Sequence, residues 1–188
     1  MLILASSSPR RIEILEGMGI PFRSVAPSAA EVIMDDPVET VLTNALNKAE
    51  SVYEKFPDKP VLASDTVVYL DEILTKPSSE SEAFSMLSRL SGRKHIVYTG
   101  TVLIHGSILL EHLDFAFVYF RYMGDEEIQW YISTGEPMDK AGAYAVQGKA
   151  ARFIRKIEGD FFTVVGLSPY VVCELLRRAD LTYLCRNP

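Results

Sequence analysis

The chain has 188 residues, 48% of them hydrophobic, and a formal net charge of −6. That length suits one domain or two closely joined lobes, and the apolar content supports a full core and argues against disorder. The acidic balance supplies no overall basic field to attract nucleic acid, so any polyanion must be met by positive charge concentrated locally.

Taken in order, residues 2–5 form a short apolar run that reads as a strand. It is too short for a secretory signal or a membrane span. A hydroxyl-rich turn, Ser6-Ser7-Ser8, leads into Pro9-Arg10-Arg11 and an amphipathic helix marked by Ile12, Leu15 and Met18. Ser8 suits the N-cap and Pro9 the first helical position. Residues 22–26 make a second strand. Asp36-Pro37 starts a long helix with Val38, Val41, Leu42, Ala45, Ala49, Val52 and Phe56 on one face. Two β-branched runs, 61–63 and 66–70, flank Ser64-Asp65 at an expected strand break. Ser79 with Glu82 fits a capping box for a helix to Leu90, stopped by Gly92. Residues 95–104 and 108–120 read as two long strands joined by the turn His105-Gly106-Ser107. A helix over 125–134 ends at Gly135. Residues 152–157 are a further strand, and Ser168-Pro169 caps a final helix to about Leu181. Interleaved helices and strands with an antiparallel hairpin imply a mixed α/β sheet. There is no repeat or linker, and the usual phosphate-loop and dinucleotide glycine patterns are absent.

Several residues carry possible chemistry. The Ser6–Arg11 turn puts hydroxyls, guanidinium groups and unpaired helix N–H groups together, which suits a phosphate chain. An ordinary capped turn with solvated arginines fits the spacing equally. Asp65 is either a carboxylate held for a purpose or a turn residue bonding its own backbone. Lys48 borders the apolar stripe of its helix, as a phosphate ligand or as a snorkelling lysine. Pro77 keeps Lys76 extended, suited to a fixed anion or simply solvated. The glycine-rich stretch 135–148 carries Glu136, Asp139, Lys140 and Gln147. Gln147 offers the donor and acceptor that reading a pyrimidine edge needs, and a structural loop is the alternative. His95, His105 and His112 show no ligand spacing and read as structural, with His95, in the strand entry 91–95, placed to help shape the site. Trp130, beside Ile128 and Ile132, reads as core. Cys173 and Cys185 form no metal or redox motif, so a reducing, cytoplasmic setting is the expectation.

Taken together and in order, LILASSSPRR (2–11), Glu31, ASDTVV (63–68), TKP (75–77), AFSMLSRLSGRKHIVYTG (83–100), GEPMDKAGAYAVQG (135–148) and GDFFTVVGLSP (159–169) resemble the Maf family of nucleoside triphosphate pyrophosphatases. The resemblance spans nearly the whole chain. It implies a single Maf-like domain over 1–188. The implied fold is an elongated mixed α/β sheet with flanking helices and two lobes around a central cleft, similar to inosine triphosphate pyrophosphatases. It implies hydrolysis of a nucleoside triphosphate to the monophosphate and pyrophosphate with a divalent cation (Mg2+, Mn2+ or Co2+). Asp65 becomes the general base and shares metal binding with Glu31. Ser6, Arg10, Arg11, Lys48, Lys76 and Lys140 become phosphate ligands. Arg10, Thr66 and Gln147 match the marks of the family's dTTP/UTP group, with Thr66 and Gln147 reading the base. The implied role is nucleotide-pool housecleaning, with a homodimer possible and no nucleic-acid or membrane partner. The alternatives are the same chemistry on modified or other nucleotides, or a nucleotide-binding regulator of septum formation. Two departures stand out. Pro27-Ser28-Ala29-Ala30 lacks a further acidic residue that the family often carries before Glu31, and Ala145-Val146 replaces the commoner Gly-Ile before Gln147.

Overall fold

The computed structural model describes residues 1–185, so the last three residues of the expected 1–188 domain lie outside it. Its elements run β1 (Leu2–Ala5), α1 (Pro9–Gly17), β2 (Phe22–Val25), α2 (Pro37–Tyr53), β3 (Val61–Leu70), β4 (Glu72–Leu74), α3 (Glu80–Leu90), β5 (Lys94–His105), β6 (Ile108–Phe120), α4 (Asp125–Ser133), β7 (Ile154–Glu158), α5 (Phe161–Val165) and α6 (Pro169–Arg178). The seven strands pair in the order β2-β1-β3-β5-β6-β7, with β4 on β3. β1 is parallel to β2 and β3, whereas β4 on β3 and β7 on β6 are antiparallel. The result is the expected mixed α/β fold with flanking helices.

The chain divides into two compact units. The first takes Met1–Asp65, Thr99–Asp114 and the chain from Gly166 onward; the second takes Thr66–Tyr98 and Phe115–Val165. In the first unit the strand period of two decides which helix each residue meets. Leu2 and Leu4 share one core with Leu15, Val171, Leu175 and Leu176, while Ile3 and Ala5 share another with Ala45, Ala49 and Val52. α2 lies close over β5. A Cβ on Gly100 would meet the Val41 carbonyl oxygen at 2.7 Å, so glycine sets that approach. The core of the second unit packs Met86, Leu87 and Leu90 of α3 with Ile128 and Tyr131 of α4, Phe120 and Phe153. Among the described residues, no helix is long and apolar enough to cross a membrane.

Local chemistry departs from the sequence reading in instructive places. Asp65 does not break a strand, because β3 runs unbroken through it. Ser8 occupies the N-cap position of α1 without a side-chain cap, and the hydroxyl that accepts a backbone N–H there is that of Ser6, from Ser8 at 3.1 Å. The box at α3 is staggered: Ser79 accepts from Glu82 N, but the Glu82 carboxylate turns to the N–H and hydroxyl of Ser78. α6 stops at Arg178, and a 3-10 turn covers Thr182–Leu184. The strand expected at 152–157 begins at Ile154, after a 3-10 turn over Lys149–Phe153. Trp130 is not core. It is 40% exposed and lies under the Arg152 guanidinium at 4.2 Å. The thiols of Cys173 and Cys185, unremarkable in sequence, sit 3.5 Å apart.

Candidate active site

The first unit assembles six of the expected residues. Its centre is Lys48, 7% exposed on α2. Its Nζ donates to Glu31 Oε1 at 2.6 Å and to Asp65 Oδ1 at 2.5 Å. Burying an ammonium and a carboxylate costs several kcal/mol that their attraction only partly returns, so such a pair is a poor stability device and a good sign of function. Asp65 is 6% exposed, and its second oxygen accepts from Asn44 Nδ2 at 3.1 Å. Glu31 comes from a segment without regular structure. That segment is nevertheless held to α2: Asn44 accepts from Val32 N and donates to Val32 O, and Thr40 accepts from Met34 N.

Beside this group lies the turn after β1. Ser6 is buried, its carbonyl accepts from Ser24 Oγ at 2.6 Å, and its hydroxyl takes the N–H of Ser8 and a long 3.5 Å contact from Arg11. Arg11 Nε donates to the carbonyl of Gly166 at 2.9 Å, an oxygen that also accepts from Ser64. Burial pushes the Arg11 guanidinium below its ordinary value, as does Arg10 more weakly, while the fields of Asp65 and Glu31 oppose the shift. Ser6, Arg10, Arg11, Glu31, Lys48 and Asp65 therefore form one electrostatic cluster, with three cations against two carboxylates.

The other four expected residues belong to the second unit. Thr66 follows Asp65 on β3 and is half-buried. Lys76 is exposed in the turn after β4. Gly142 N donates to Thr75 O at 3.1 Å, which ties the turn of Lys76 to the loop of Lys140. Lys140 is hydrogen-bonded to Asp139. Gly142, at φ +66, also lies over Val68, whose side chain a Cβ would meet at 3.0 Å. Gln147 is exposed in the same loop, and Tyr144 before it is buried and bonded to His95 Nε2 at 2.8 Å. The structure thus gathers Lys76, Lys140 and Gln147 around one pair of loops beside Val68 of β3.

The resemblance implies a divalent cation, to which Glu31 and Asp65 would offer carboxylate oxygens. Oxygens of Glu31 and Asp65, from segments far apart in sequence, converge on the single Lys48 Nζ. Hard cations such as Mg2+ take one or two carboxylates and complete their shell with phosphate oxygens and water. Among the described residues no group of three His, Cys, Asp or Glu could hold a metal alone, so substrate oxygens would have to contribute.

Sequence reasoning missed Asn44, Thr40 and Gly166. The first two had a signal: Thr40, Asn44 and Lys48 are spaced by four, a polar row on the face of α2 that is otherwise apolar.

The chain is that of a Maf-like protein. The family matches residues 1–179, and the chain belongs to it. A protein of Symbiobacterium thermophilum named dTTP/UTP pyrophosphatase is 48% identical over 178 residues, covering 93% of this chain and 92% of that one. Proteins of the same name from Caldicellulosiruptor saccharolyticus and Dictyoglomus thermophilum are 44% and 41% identical, each covering at least 94% of both chains. Among solved structures, protein VC0702 from Vibrio cholerae is similar over 60% of this chain and 56% of its own at 12% identity and a TM-score of 0.37, a likeness too partial to bear on function.

Proposed function

We propose that the chain is a nucleoside triphosphate pyrophosphatase acting on dTTP and UTP, a single Maf-like domain that serves the nucleotide pool of the cytoplasm. The observation that carries this reading is the buried Lys48 between two carboxylates, one of them the aspartate of the SDT motif. Glu31 and Asp65 would hold a divalent cation, which would supply positive charge to the α-phosphate and acidify the attacking water. Asp65 orients the attacking water and takes its proton as the oxygen–phosphorus bond forms. The bond from the α-phosphorus to the bridging oxygen breaks, and pyrophosphate leaves. Lys48 holds Asp65 in place through the 2.5 Å contact. Arg10, Arg11 and the Ser6 turn neutralise the phosphate chain, with Lys76 and Lys140 on the departing pyrophosphate. Thr66 and Gln147 read the base.

Uracil and thymine present one O4/N3–H edge, and cytosine reverses the group at position 4. A site built for those hydrogen bonds rejects the reversed edge because its own polar groups are left unpaired. Pyrophosphate release from competing UTP, dTTP, CTP and GTP at one Mg2+ or Mn2+ concentration tests the proposal. UTP and dTTP lead, CTP trails and GTP is worst. Preference for GTP refutes the base assignment, and no release from any nucleotide refutes the enzyme in favour of a binding regulator.

A further inference from the structure

Gln147 is exposed, yet the backbone on either side of it is pinned by two side chains that the reaction above does not use. Glu136 opens the 3-10 turn Glu136–Asp139. Its carboxylate accepts from Lys149 N at 3.0 Å, from Ala150 N at 3.4 Å and from the Tyr131 hydroxyl at 2.8 Å. That hydroxyl in turn accepts from Ala145 N at 3.2 Å. The chain is therefore held two residues before Gln147 and two and three residues after it. Gly148 completes the arrangement. Its φ of −98 suits any residue, so conformation does not demand glycine. A Cβ there would come within 2.6 Å of the Glu136 carboxylate carbon, so a larger residue would have to displace that carboxylate. Tyr131 is fully buried beside Phe153, so the clamp stands on the core and not on solvent-exposed contacts.

Three donors therefore occupy the Glu136 carboxylate, two on Oε1 and one on Oε2. Burial and the neighbouring carboxylate push the Tyr131 hydroxyl well above its ordinary range, so it stays a donor to Glu136 throughout the working pH range. We infer that Glu136 and Tyr131 are positioning residues that present the Gln147 amide, so that discrimination between uracil and cytosine depends on a carboxylate that never touches the base. The inference rests on Gln147 reading the base, as proposed above. Recognition groups must be held to within about half an ångström by the shell behind them, and loosening that shell typically costs one to two orders of magnitude.

The test compares Glu136→Gln, Tyr131→Phe, Gln147→Ala and the double variant Glu136→Gln/Gln147→Ala. The reading is the ratio of kcat/KM for UTP to that for CTP, with a thermal melt for each protein. Tyr131→Phe removes one oxygen from a ring that stays packed, and so remains informative if Glu136→Gln fails to fold. The ratio should fall on the order of tenfold in each single variant, with kcat for UTP changing less than KM. The double variant should be no less selective than Gln147→Ala alone. If Gln147→Ala collapses the ratio while the folded clamp variants keep it, the clamp is structural and the inference is overturned. Losses that add in the double variant overturn it too, because the two residues then act independently. If Gln147→Ala itself leaves the ratio intact, the base-reading assignment fails, and the inference falls with it for that separate reason.

Discussion

Asp65→Asn is the most direct perturbation of the site, and the structure sets its size. The aspartate accepts from two donors, Lys48 Nζ at 2.5 Å and Asn44 Nδ2 at 3.1 Å, with its side chain 8% exposed. An asparagine has one acceptor oxygen, so one of those donors must face its amide NH2 group. Lys48 keeps Glu31 at 2.6 Å, which limits the damage. Losing a charge-assisted hydrogen bond and leaving one donor unpaired costs about 2–3 kcal/mol. For a chain of this size that lowers the melting temperature by roughly 5–10 °C, and the fold survives because the expected total stability is about 5–15 kcal/mol.

Turnover falls much further. Removing a general base costs roughly a hundredfold or more, so pyrophosphate release from UTP by the folded variant should drop by at least that factor. Raising the metal concentration separates two ways of failing. If Asp65 matters only as a metal ligand, excess cation restores the rate; if it takes the proton, the rate stays low. Activity within about threefold of the parent, or full recovery with metal, refutes the role assigned to Asp65.

Gly100→Ala puts a methyl group against the backbone of α2 at Val41 and Leu42. It should cost about 1–3 kcal/mol in urea unfolding and lower turnover by shifting the helix that carries Asn44 and Lys48; unchanged stability contradicts the packing described. Arg11→Ala should raise KM for UTP by on the order of tenfold, and Arg11→Lys should recover little, because a point charge cannot reproduce a planar guanidinium whose Nε donates to Gly166 while an NH group faces Ser6; full recovery in steady-state assays speaks for simple charge. Burial holds His95 neutral, with its pKa lowered to about 3. The unfolded chain protonates near 6.5 and so binds more protons below that pH. Stability is therefore complete above about pH 6.5 and is lost as pH falls toward 3, by about 2 kcal/mol at pH 5. His95→Gln should flatten that part of the acid limb in pH-dependent melts, and an unaltered slope assigns the loss to other groups.

Much of this is legible in the chain because local signals agree. β1, the serine turn and the Pro9 helix start follow from caps and period, and the hairpin of β5 and β6 follows from alternation around His105-Gly106-Ser107. The rest needs partners distant in sequence. Asp65 reads as a strand break because nothing nearby can pair it. Its partners lie on α2, at 44 and 48, and only the folded helix delivers them. Trp130 reads as apolar core by neighbourhood, but Ile128 and Ile132 are four apart and share a face, which puts the residue midway between them on the opposite side. The clamp on Gln147 leaves no trace beyond a Glu and a Gly twelve residues apart, since its remaining members are backbone groups and one tyrosine on the helix before it.

The polar row on α2 also explains how an irregular segment can place a side chain with precision. Glu31 has no helix or strand of its own, and its half-exposed side chain would ordinarily sample many rotamers. Thr40 and Asn44 take up the backbone of Met34 and Val32, and Asn44 also donates to Asp65. One helix face therefore sets both carboxylates at once, with Lys48 one turn further along to hold them 2.5–2.6 Å from a common point. Pro27-Ser28-Ala29-Ala30 brings no further acid to that point, so Glu31 is joined there only by Asp65 of β3. A divalent cation bound by Glu31 and Asp65, as proposed, would draw the rest of its shell from phosphate and water, and its affinity should rise when triphosphate is present.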